Sequence, residues 1–285
     1  MKPAFSTVAC PEWPFSTLVR RAGEWGFVGV ELRTFGYSSR EFACEPALTA
    51  PAKLRGMLDR CGLSICSLAT GIRYDDPITP PVLGLFLDHE QMIRETKACV
   101  DLAVQLEAPT VRVFGFEIVG GEPRGRALAR IADRLNTCLD YCRNSGVRLA
   151  IENGGSFSTA VDLAEIMDKV DHPLLCASYS AAVAAAAGEK AENGVNVLGE
   201  RLACVKLKDM RHGLPCALGE GDLDPRAAVD ALGRAGFGGW VVYEFDRAWL
   251  GGERVDLDRV MSASARTLFE WIGGRPAGHR ASVRA

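Results

Sequence analysis

The chain has 285 residues, of which 48% are hydrophobic and 24% are charged, and its formal net charge is −3. This charge balance argues against nucleic-acid binding through bulk electrostatics, and no apolar run reaches the roughly 18 residues that a membrane span needs. The first residues, 1–6, lack the apolar core of a secretion signal. We therefore expect a cytoplasmic protein with no nucleic-acid and no membrane partner.

The chain contains 10 cysteines, and none of them lies in a Cys-x-x-Cys pair. No zinc-ribbon spacing occurs among them. We expect all of them to be reduced thiols that act as small core hydrophobes, as is usual in a reducing compartment.

One unit recurs along the chain: a helical pattern ends at Gly or Pro, a short apolar strand follows, and a polar loop leads to the next helix. The predicted strands are 4–9, 28–32, 63–69, 110–114, 147–152, 174–177, 202–207 and 240–245. The predicted helices are 15–25, 52–60, 88–107, 126–144, a segment from a cap at Ser158 or Thr159 to 170, 181–199, 225–236 and 257–272.

Eight strands that alternate with eight helices predict an α/β fold, the (β/α)8 TIM barrel. We expect one barrel domain over residues 1–272 and a polar, disordered tail at 273–285. An open, doubly wound sheet is the alternative. No Gly-x-Gly-x-x-Gly motif follows the first predicted strand, so dinucleotide binding is disfavoured.

Glu152 ends a buried strand and is directly followed by Asn153 and two glycines. A charge at the tip of a buried strand does not serve packing, and the C-terminal strand ends of a parallel barrel carry its chemistry. Glu244 ends another apolar run, three strands later. The other charged residues at predicted strand ends are Glu31, Arg33, Arg73, Arg112, Lys206, Lys208 and Asp209.

Several of these residues also have a structural interpretation. Glu31 and Arg33 are suited to an ion pair across the barrel mouth, and Lys208 and Asp209 to a pair on its outer face. Lys206 either extends outward past a helix or, if its strand face points inward, meets both strand-end glutamates. Arg112 alternates with valines, which favours an inward side chain.

These segments resemble the xylose-isomerase-like barrel family of sugar isomerases and epimerases, which also includes inosose dehydratases and the endonuclease IV type. The resemblance covers about residues 4–272. Its most specific parts are WGFVGVELR at 25–33, AIE at 150–152, LKD at 207–209, LGEGDLD at 218–224, and GFGGW at 236–240, which leads to Glu244.

The resemblance implies a divalent metal at the barrel mouth, held by Glu, Asp, His and Glu on strands five to eight. Glu152 and Glu244 match the two glutamates, whereas residues 177–181 contain neither the Asp nor the His of strand six. Lys206 stands at the histidine position of strand seven. An ammonium repels a cation by roughly 4 kcal/mol per pair of unit charges at about 4 Å, and two carboxylates rarely make a tight site. We therefore expect no metal and no other cofactor.

The activity implied is that of a metal-independent sugar or polyol isomerase or epimerase, or of a dehydratase-like lyase, acting by proton transfer next to a carbonyl. Glu152 and Glu244 are the predicted acid and base, and Lys206 is predicted to stabilise an enediolate oxygen in place of the metal. A Schiff base at Lys206 is a variant of this mechanism. His212 is a further catalytic candidate, with an exposed loop histidine as its structural alternative.

A small sugar-like substrate is the expected partner, and a homodimer is the assembly that we consider. The predicted substrate-binding residues comprise three arginines suited to a carboxylate or phosphate, one glutamate and one lysine: Arg33, Arg73, Arg112, Glu31 and Lys208.

The rival hypothesis is a non-catalytic binding or regulatory barrel descended from a sugar isomerase, which the alanine-rich run at 181–187 favours. A nuclease of the endonuclease IV type would need a histidine-rich metal cluster, and the chain has only 4 histidines. We favour the enzyme over both.

Overall fold

A closed barrel of eight parallel strands forms the centre of the molecule. The computed structural model describes residues 1–34, 51–76, 91–251 and 255–273. The barrel strands are β1 (Lys2–Ser6), β2 (Gly29–Arg33), β3 (Ser64–Arg73), β4 (Thr110–Phe114), β5 (Arg148–Glu152), β6 (Leu175–Ser180), β7 (Leu202–Leu207) and β8 (Trp240–Tyr243). Each strand pairs with the next, and β8 pairs with β1. The predicted TIM barrel is confirmed.

Helices connect the strands around the outside of the barrel. They are α1 (Phe15–Trp25), α2 (Pro51–Arg60), α3 (Gln91–Leu106), α4 (Arg124–Tyr141), α5 (Ala160–Val170), α6 (Ala181–Ala186), α7 (Ala191–Leu198), α8 (Pro225–Arg234) and α9 (Leu257–Ile272). Within the described residues, no helix is both long enough and apolar enough to cross a membrane.

The structure corrects three predicted elements. The first strand is shorter than predicted, because a 3-10 helix follows it at Thr7–Ala9. The single helix predicted at 181–199 is two helices, α6 and α7, since the backbone at Gly188 is left-handed (φ +84°) and cannot continue a helix. Strand β8 ends at Tyr243, so Glu244 follows the strand. The predicted tail lies outside the described residues except for Gly273.

Local sequence explains where helix α5 begins. The Thr159 side chain accepts a hydrogen bond from the backbone N–H of Asp162, and the Asp162 carboxylate accepts one from the backbone N–H of Thr159. This reciprocal capping box satisfies donors that the first helical turn leaves unpaired. Of the two predicted caps, Thr159 is therefore the residue used.

The barrel floor is a small apolar layer inside the N-terminal half of the barrel. It consists of four buried residues with one partly buried tryptophan packed against them: Ala4, Cys66, Cys204, Val242 and Trp240. Gly29 leaves room for the indole of Trp240, because a Cβ at residue 29 would lie 2.4 Å from that ring. No disulfide links the cysteines that the structure describes.

Candidate active site

Four charged side chains meet inside the barrel, on the side of its C-terminal strand ends. Glu31 comes from β2, Glu152 from the last position of β5, Lys206 from β7, and Glu244 from the position after β8. Lys206 follows the floor residue Cys204 by two positions, and alternation along a strand turns both side chains to the same face. The lysine therefore points inward, which excludes the outward alternative. We call these four residues the lysine–glutamate cluster.

The Lys206 ammonium lies among three carboxylates. Its Nζ atom is 2.9 Å from Glu152 Oε2, 2.9 Å from Glu244 Oε1 and 3.0 Å from Glu31 Oε2. Lys206 and Glu31 are fully buried, while Glu152 and Glu244 keep 7% and 6% of their surface exposed. The ammonium donates hydrogen bonds to Glu31 Oε1 (3.1 Å) and Glu244 Oε1 (2.9 Å), and its contact with Glu152 Oε2 is one of charge. Because Lys206 is fully buried, a substrate oxygen does not reach its ammonium.

The three carboxylates keep Lys206 protonated. Burial alone would lower the pKa of the lysine, but the charges of Glu152, Glu244 and Glu31 outweigh burial and raise that pKa well above its ordinary value. A Schiff base requires a neutral amine. This arrangement therefore argues against the Schiff-base variant.

The pKa values of two carboxylates of the cluster, Glu31 and Glu244, are shifted in opposite directions. Burial raises the pKa of Glu31, although Lys206 partly opposes the shift. Burial would also raise the pKa of Glu244, but Lys206 and Lys208 outweigh it and hold that pKa below its usual range. Glu31 is thus the fully buried partner of Lys206, and Glu244 remains ionised.

Glu152 has one carboxylate oxygen, Oε1, with no hydrogen-bond partner among the described residues. Its Oε2 atom contacts Lys206 and accepts a hydrogen bond of 3.0 Å from the hydroxyl of Ser178. Its Oε1 atom faces the guanidinium of Arg112, with Nη1 at 3.6 Å, which is too long for a hydrogen bond. Since Glu152 also retains some exposure, Oε1 is the oxygen that a ligand can reach.

Lys208 extends the charged group towards solvent. Its Nζ atom lies 3.2 Å from Glu244 Oε2 and 2.5 Å from Asp246 Oδ2, and 23% of its side chain is exposed. The predicted outer-face pair of Lys208 with Asp209 is therefore wrong. Sequence reasoning missed Asp246, although its spacing of two residues from Glu244 was an available signal.

Asp209 instead holds the loop that follows β7. Its Oδ2 atom accepts backbone N–H bonds from Gly219 (2.8 Å) and Gly221 (3.0 Å), and its Oδ1 atom accepts those of Met210 and Leu223. A Cβ at residue 221 would lie 2.1 Å from Asp209 Oδ1, so only glycine fits there. The sequence segments LKD and LGEGD thus form one loop scaffold.

Two other predicted site residues, His212 and Arg73, lie away from the buried cluster, whereas the charge of Arg33 adds to the effect of Lys206 and Lys208 in lowering the pKa of Glu244. His212 is exposed at the turn of a short hairpin formed by Met210–Arg211 and Leu214–Pro215. The Arg73 side chain is 50% exposed and lies 4.8 Å from the ring centroid of Phe116. Arg33, at the end of β2, is partly buried. The structure does not place His212 among the buried carboxylates.

A cavity of about 490 Å³ adjoins Lys208 between α6, α7 and α8. Alanines 181, 182 and 185 line part of it, together with Leu207 and Pro225. Small side chains at these positions leave the space open. The alanine-rich run therefore has a structural role in the fold.

The cluster does not fit the divalent metal that the sequence resemblance implies. The Lys206 ammonium occupies the point where the carboxylates converge, and the strand-six positions are Ala177 and Ser178, which offer no carboxylate or imidazole. Among the residues that the structure describes, no group of three or more His, Cys, Asp and Glu side chains is arranged to hold a metal ion. A cation added there would face the ammonium directly.

Solved structures with the same fold include two sugar epimerases. The D-psicose 3-epimerase of Clostridium cellulolyticum H10, solved with D-tagatose, has a TM-score of 0.76 and 13% identity over 95% of this chain and 99% of that chain. An L-ribulose 3-epimerase has a TM-score of 0.77 and 12% identity over 96% and 95%. The IolI protein with a binding zinc atom has a TM-score of 0.76 and 16% identity over 96% and 98%.

A comparison with curated proteins gives no match. The family model described as "Xylose isomerase-like TIM barrel" matches residues 19–270, which is most of the chain and includes every member of the lysine–glutamate cluster. The chain therefore belongs to the xylose isomerase-like TIM barrel family.

Proposed function

We propose that this protein is a sugar or polyol isomerase or epimerase, or a related dehydratase-like lyase, that transfers a proton next to a carbonyl without a divalent metal. The observation that carries the proposal is the lysine–glutamate cluster itself. A permanent ammonium stands where the family's metal would bind, and Glu152 keeps one oxygen available beside it. The fold that the chain shares with two sugar epimerases supports the substrate class.

Glu152 is the proposed base. Its Oε1 atom removes a proton from a carbon next to the substrate carbonyl, and the electron pair moves to the carbonyl oxygen, which gives an enediolate. The Lys206 ammonium contacts Oε2 of Glu152, so that it holds this side chain in place and puts a positive charge next to the base. The same carboxyl group then returns the proton to the neighbouring carbon, while the hydroxyl proton of the first carbon passes to the former carbonyl oxygen, so that the carbonyl and the hydroxyl group exchange places.

Lys208 is the proposed contact for the enediolate oxygen, a role that the sequence had suggested for Lys206. Lys206 is fully buried, whereas Lys208 binds Glu244 and Asp246 and keeps a third donor. Its partial exposure makes this donor accessible to a ligand. A positive group near the developing negative charge lowers the barrier without reorganisation.

Glu244 is the second carboxylate of the proposal, and its contacts make it a weak base. Both of its oxygens contact ammonium groups, and its pKa is lowered. A carboxylate of lowered pKa accepts a proton less readily. A reaction that uses one base, in which Glu152 carries the proton between adjacent carbons, is therefore favoured over one that uses both glutamates.

A non-catalytic binding barrel is the second candidate. The observation in its favour is that every carboxylate of the cluster contacts the same buried ammonium, an arrangement that can be kept for stability alone. A proton-exchange experiment distinguishes the isomerase from the binding barrel. Incubated in D2O with a panel of ketoses, aldoses and sugar acids, the enzyme should replace a carbon-bound proton next to the carbonyl by deuterium, detected by NMR.

Glu152→Gln should slow this exchange by about 10²-fold or more, the usual contribution of a positioned base. Glu24→Gln is the matched control, because Glu24 pairs with Arg21 on the surface of α1 and should leave the rate unchanged. Exchange that is equally fast in E152Q contradicts the assignment. No exchange with any compound of the panel would favour the binding barrel.

Metal independence has its own test. The purified protein should contain no stoichiometric Mn, Zn, Co or Mg, and chelator treatment should leave its exchange rate unchanged. The double substitution Lys206→His with Ser178→Asp restores the family's ligand types and should produce a thermal shift with Mn or Zn. A stoichiometric ion bound by Glu152 and Glu244 in the unmodified protein would end the metal-independent interpretation.

A further inference from the structure

Arg112 is the charged group whose hydrogen-bonding capacity the described residues leave unused. It lies on β4, its side chain is fully buried, and none of its three nitrogens, Nε, Nη1 and Nη2, has a hydrogen-bond partner among the residues that the structure describes. The guanidinium rests against the ring of Phe114, 4.3 Å from its centroid, and its Nη1 atom lies 3.6 Å from Glu152 Oε1.

Such an arrangement is costly without a further partner. A guanidinium stays charged at any physiological pH and carries five N–H donors. Leaving buried donors unpaired forfeits the hydrogen bonds they made to water in the unfolded chain. The face of an aromatic ring offsets part of the charge, but it offers no acceptor in the plane of the guanidinium.

The residues on the strands next to Arg112 do not pair with its guanidinium. Its register partners are Ala69 on β3 and Ala150 on β5, and both side chains end at Cβ. The nearby hydroxyl of Thr70 donates to the backbone carbonyl of Arg112 at 2.6 Å and is therefore committed elsewhere. The groups around Arg112 that the structure describes thus leave the guanidinium without an acceptor.

We propose that Arg112 binds a carboxylate group of the substrate, so that the substrate is a sugar acid or a keto acid rather than a neutral sugar. The planar fork of Arg matches the two oxygens of a carboxylate. A carboxylate is smaller than a phosphate dianion and carries less charge to desolvate, which favours it as the partner of a fully buried guanidinium. The identification of this ligand as the substrate rests on the proposed function.

The position of Arg112 next to Glu152 restricts the substrate further. The group held by Arg112 lies beside Glu152 Oε1, the atom proposed to take up the proton. The carboxylate is therefore close along the carbon chain to the carbon that loses its proton. A polyhydroxy acid with a carbonyl near its carboxyl end satisfies both contacts.

Matched acid and polyol pairs test this inference on the full chain. Gluconate with glucitol, xylonate with xylitol, and glycerate with glycerol differ only in a carboxylate against a CH2OH group. Binding is measured by thermal shift and by calorimetry, with phosphorylated glucitol as a separate arm. We expect at least one acid to bind about tenfold or more tightly than its polyol, the loss expected for one charged hydrogen bond, and the phosphorylated compound to bind less tightly than that acid.

Arg112→Lys and Arg112→Met should abolish this preference, the first without removing the positive charge. Arg143→Lys is the control, since Arg143 pairs with Asp140 on the surface, and it should preserve the preference. Equal binding of every acid and its polyol to the unmodified protein overturns the inference whether or not the Arg112 variants fold. Preference for the phosphorylated compound, or an unchanged preference in R112K, also overturns it.

The outcomes separate this inference from the proposed function. Acid binding that depends on Arg112 without any proton exchange in D2O would leave the carboxylate site standing and refute the isomerase proposal. Rapid exchange of neutral sugars, unaffected by R112K, would keep the isomerase and refute the carboxylate site.

Discussion

The barrel floor and the lysine–glutamate cluster occupy the same barrel interior, yet they are stabilised by opposite means. Strand β7 contributes to both, with Cys204 in the floor and Lys206 in the cluster only two residues later. The floor is held by apolar contact, where the indole of Trp240 fills the space that Gly29 leaves. The cluster is held by one ammonium among three carboxylates. An inward-facing position therefore does not have to be apolar, provided that its charge is compensated within about 3 Å.

This comparison predicts that the barrel floor and the lysine–glutamate cluster are destabilised by different kinds of substitution. A change of shape should damage the floor, because close-packed interiors tolerate added volume poorly. A change of charge should damage the cluster, because it leaves ions buried without partners. Three substitutions test this difference, from the largest expected effect to the smallest.

Lys206→Ala should cost about 3–5 kcal/mol of unfolding free energy, because it leaves three buried carboxylates uncompensated. Urea unfolding at neutral pH measures the loss. Lys169→Ala, an exposed position on α5, is the control and should stay within about 0.5 kcal/mol. If K206A lost less than about 1 kcal/mol of unfolding free energy, the three carboxylates would not depend on the ammonium that they share.

Glu244→Gln should cost about 1.5–3 kcal/mol at neutral pH, the range for hydrogen bonds to charged groups, and this cost should disappear in acid. The pKa of Glu244 is lowered in the fold, so its contribution is present above the unfolded value of about 4.3 and is lost as the pH falls through the folded value. The difference in unfolding free energy between the two proteins, followed from pH 7 downwards, measures this. A difference that stays constant across the acid range would contradict the assigned pKa direction.

Gly29→Ala should cost about 1–3 kcal/mol by overpacking the floor, because its Cβ would meet the Trp240 ring. The matched control is Gly23→Ala in helix α1, where a Cβ has no atom within 4 Å. That change should leave stability equal or raise it by up to about 1 kcal/mol, as expected for Gly to Ala in a helix. Thermal unfolding of both variants distinguishes them, and equal effects would show that the floor is not tightly packed.

Much of the fold was predictable because it depends on local signals. The bounds of β4, β7 and α9 match the predicted segments residue for residue. In each case an apolar run or a helical periodicity ends at a clear Pro, Gly or charge signal. The helix predicted at 181–199 failed for a related reason, since an alanine-rich run gives no periodicity that would reveal the break at Gly188.

The candidate site was predictable in part. Glu152, Glu244 and Lys206 could be found because each ends or interrupts an apolar strand with a charge. The partners that give these residues their properties could not be found in this way. Lys206 meets Glu31, which lies 175 positions away in the chain, and Glu152 accepts a hydrogen bond from Ser178 on the neighbouring strand β6.

The sequence by itself determined the alternation of strands and helices, the family, and the charged residues at the strand ends, because each follows from short-range patterns in the chain. Only the tertiary structure decided which charges meet. Barrel closure brings β2, β5 and β7 together, so that Lys206 lies among three carboxylates, while no nitrogen of the Arg112 side chain has a hydrogen-bond partner among the described residues. Distance and burial determine the pKa and the hydrogen-bond partners of each group, and both quantities exist only once the strands have paired.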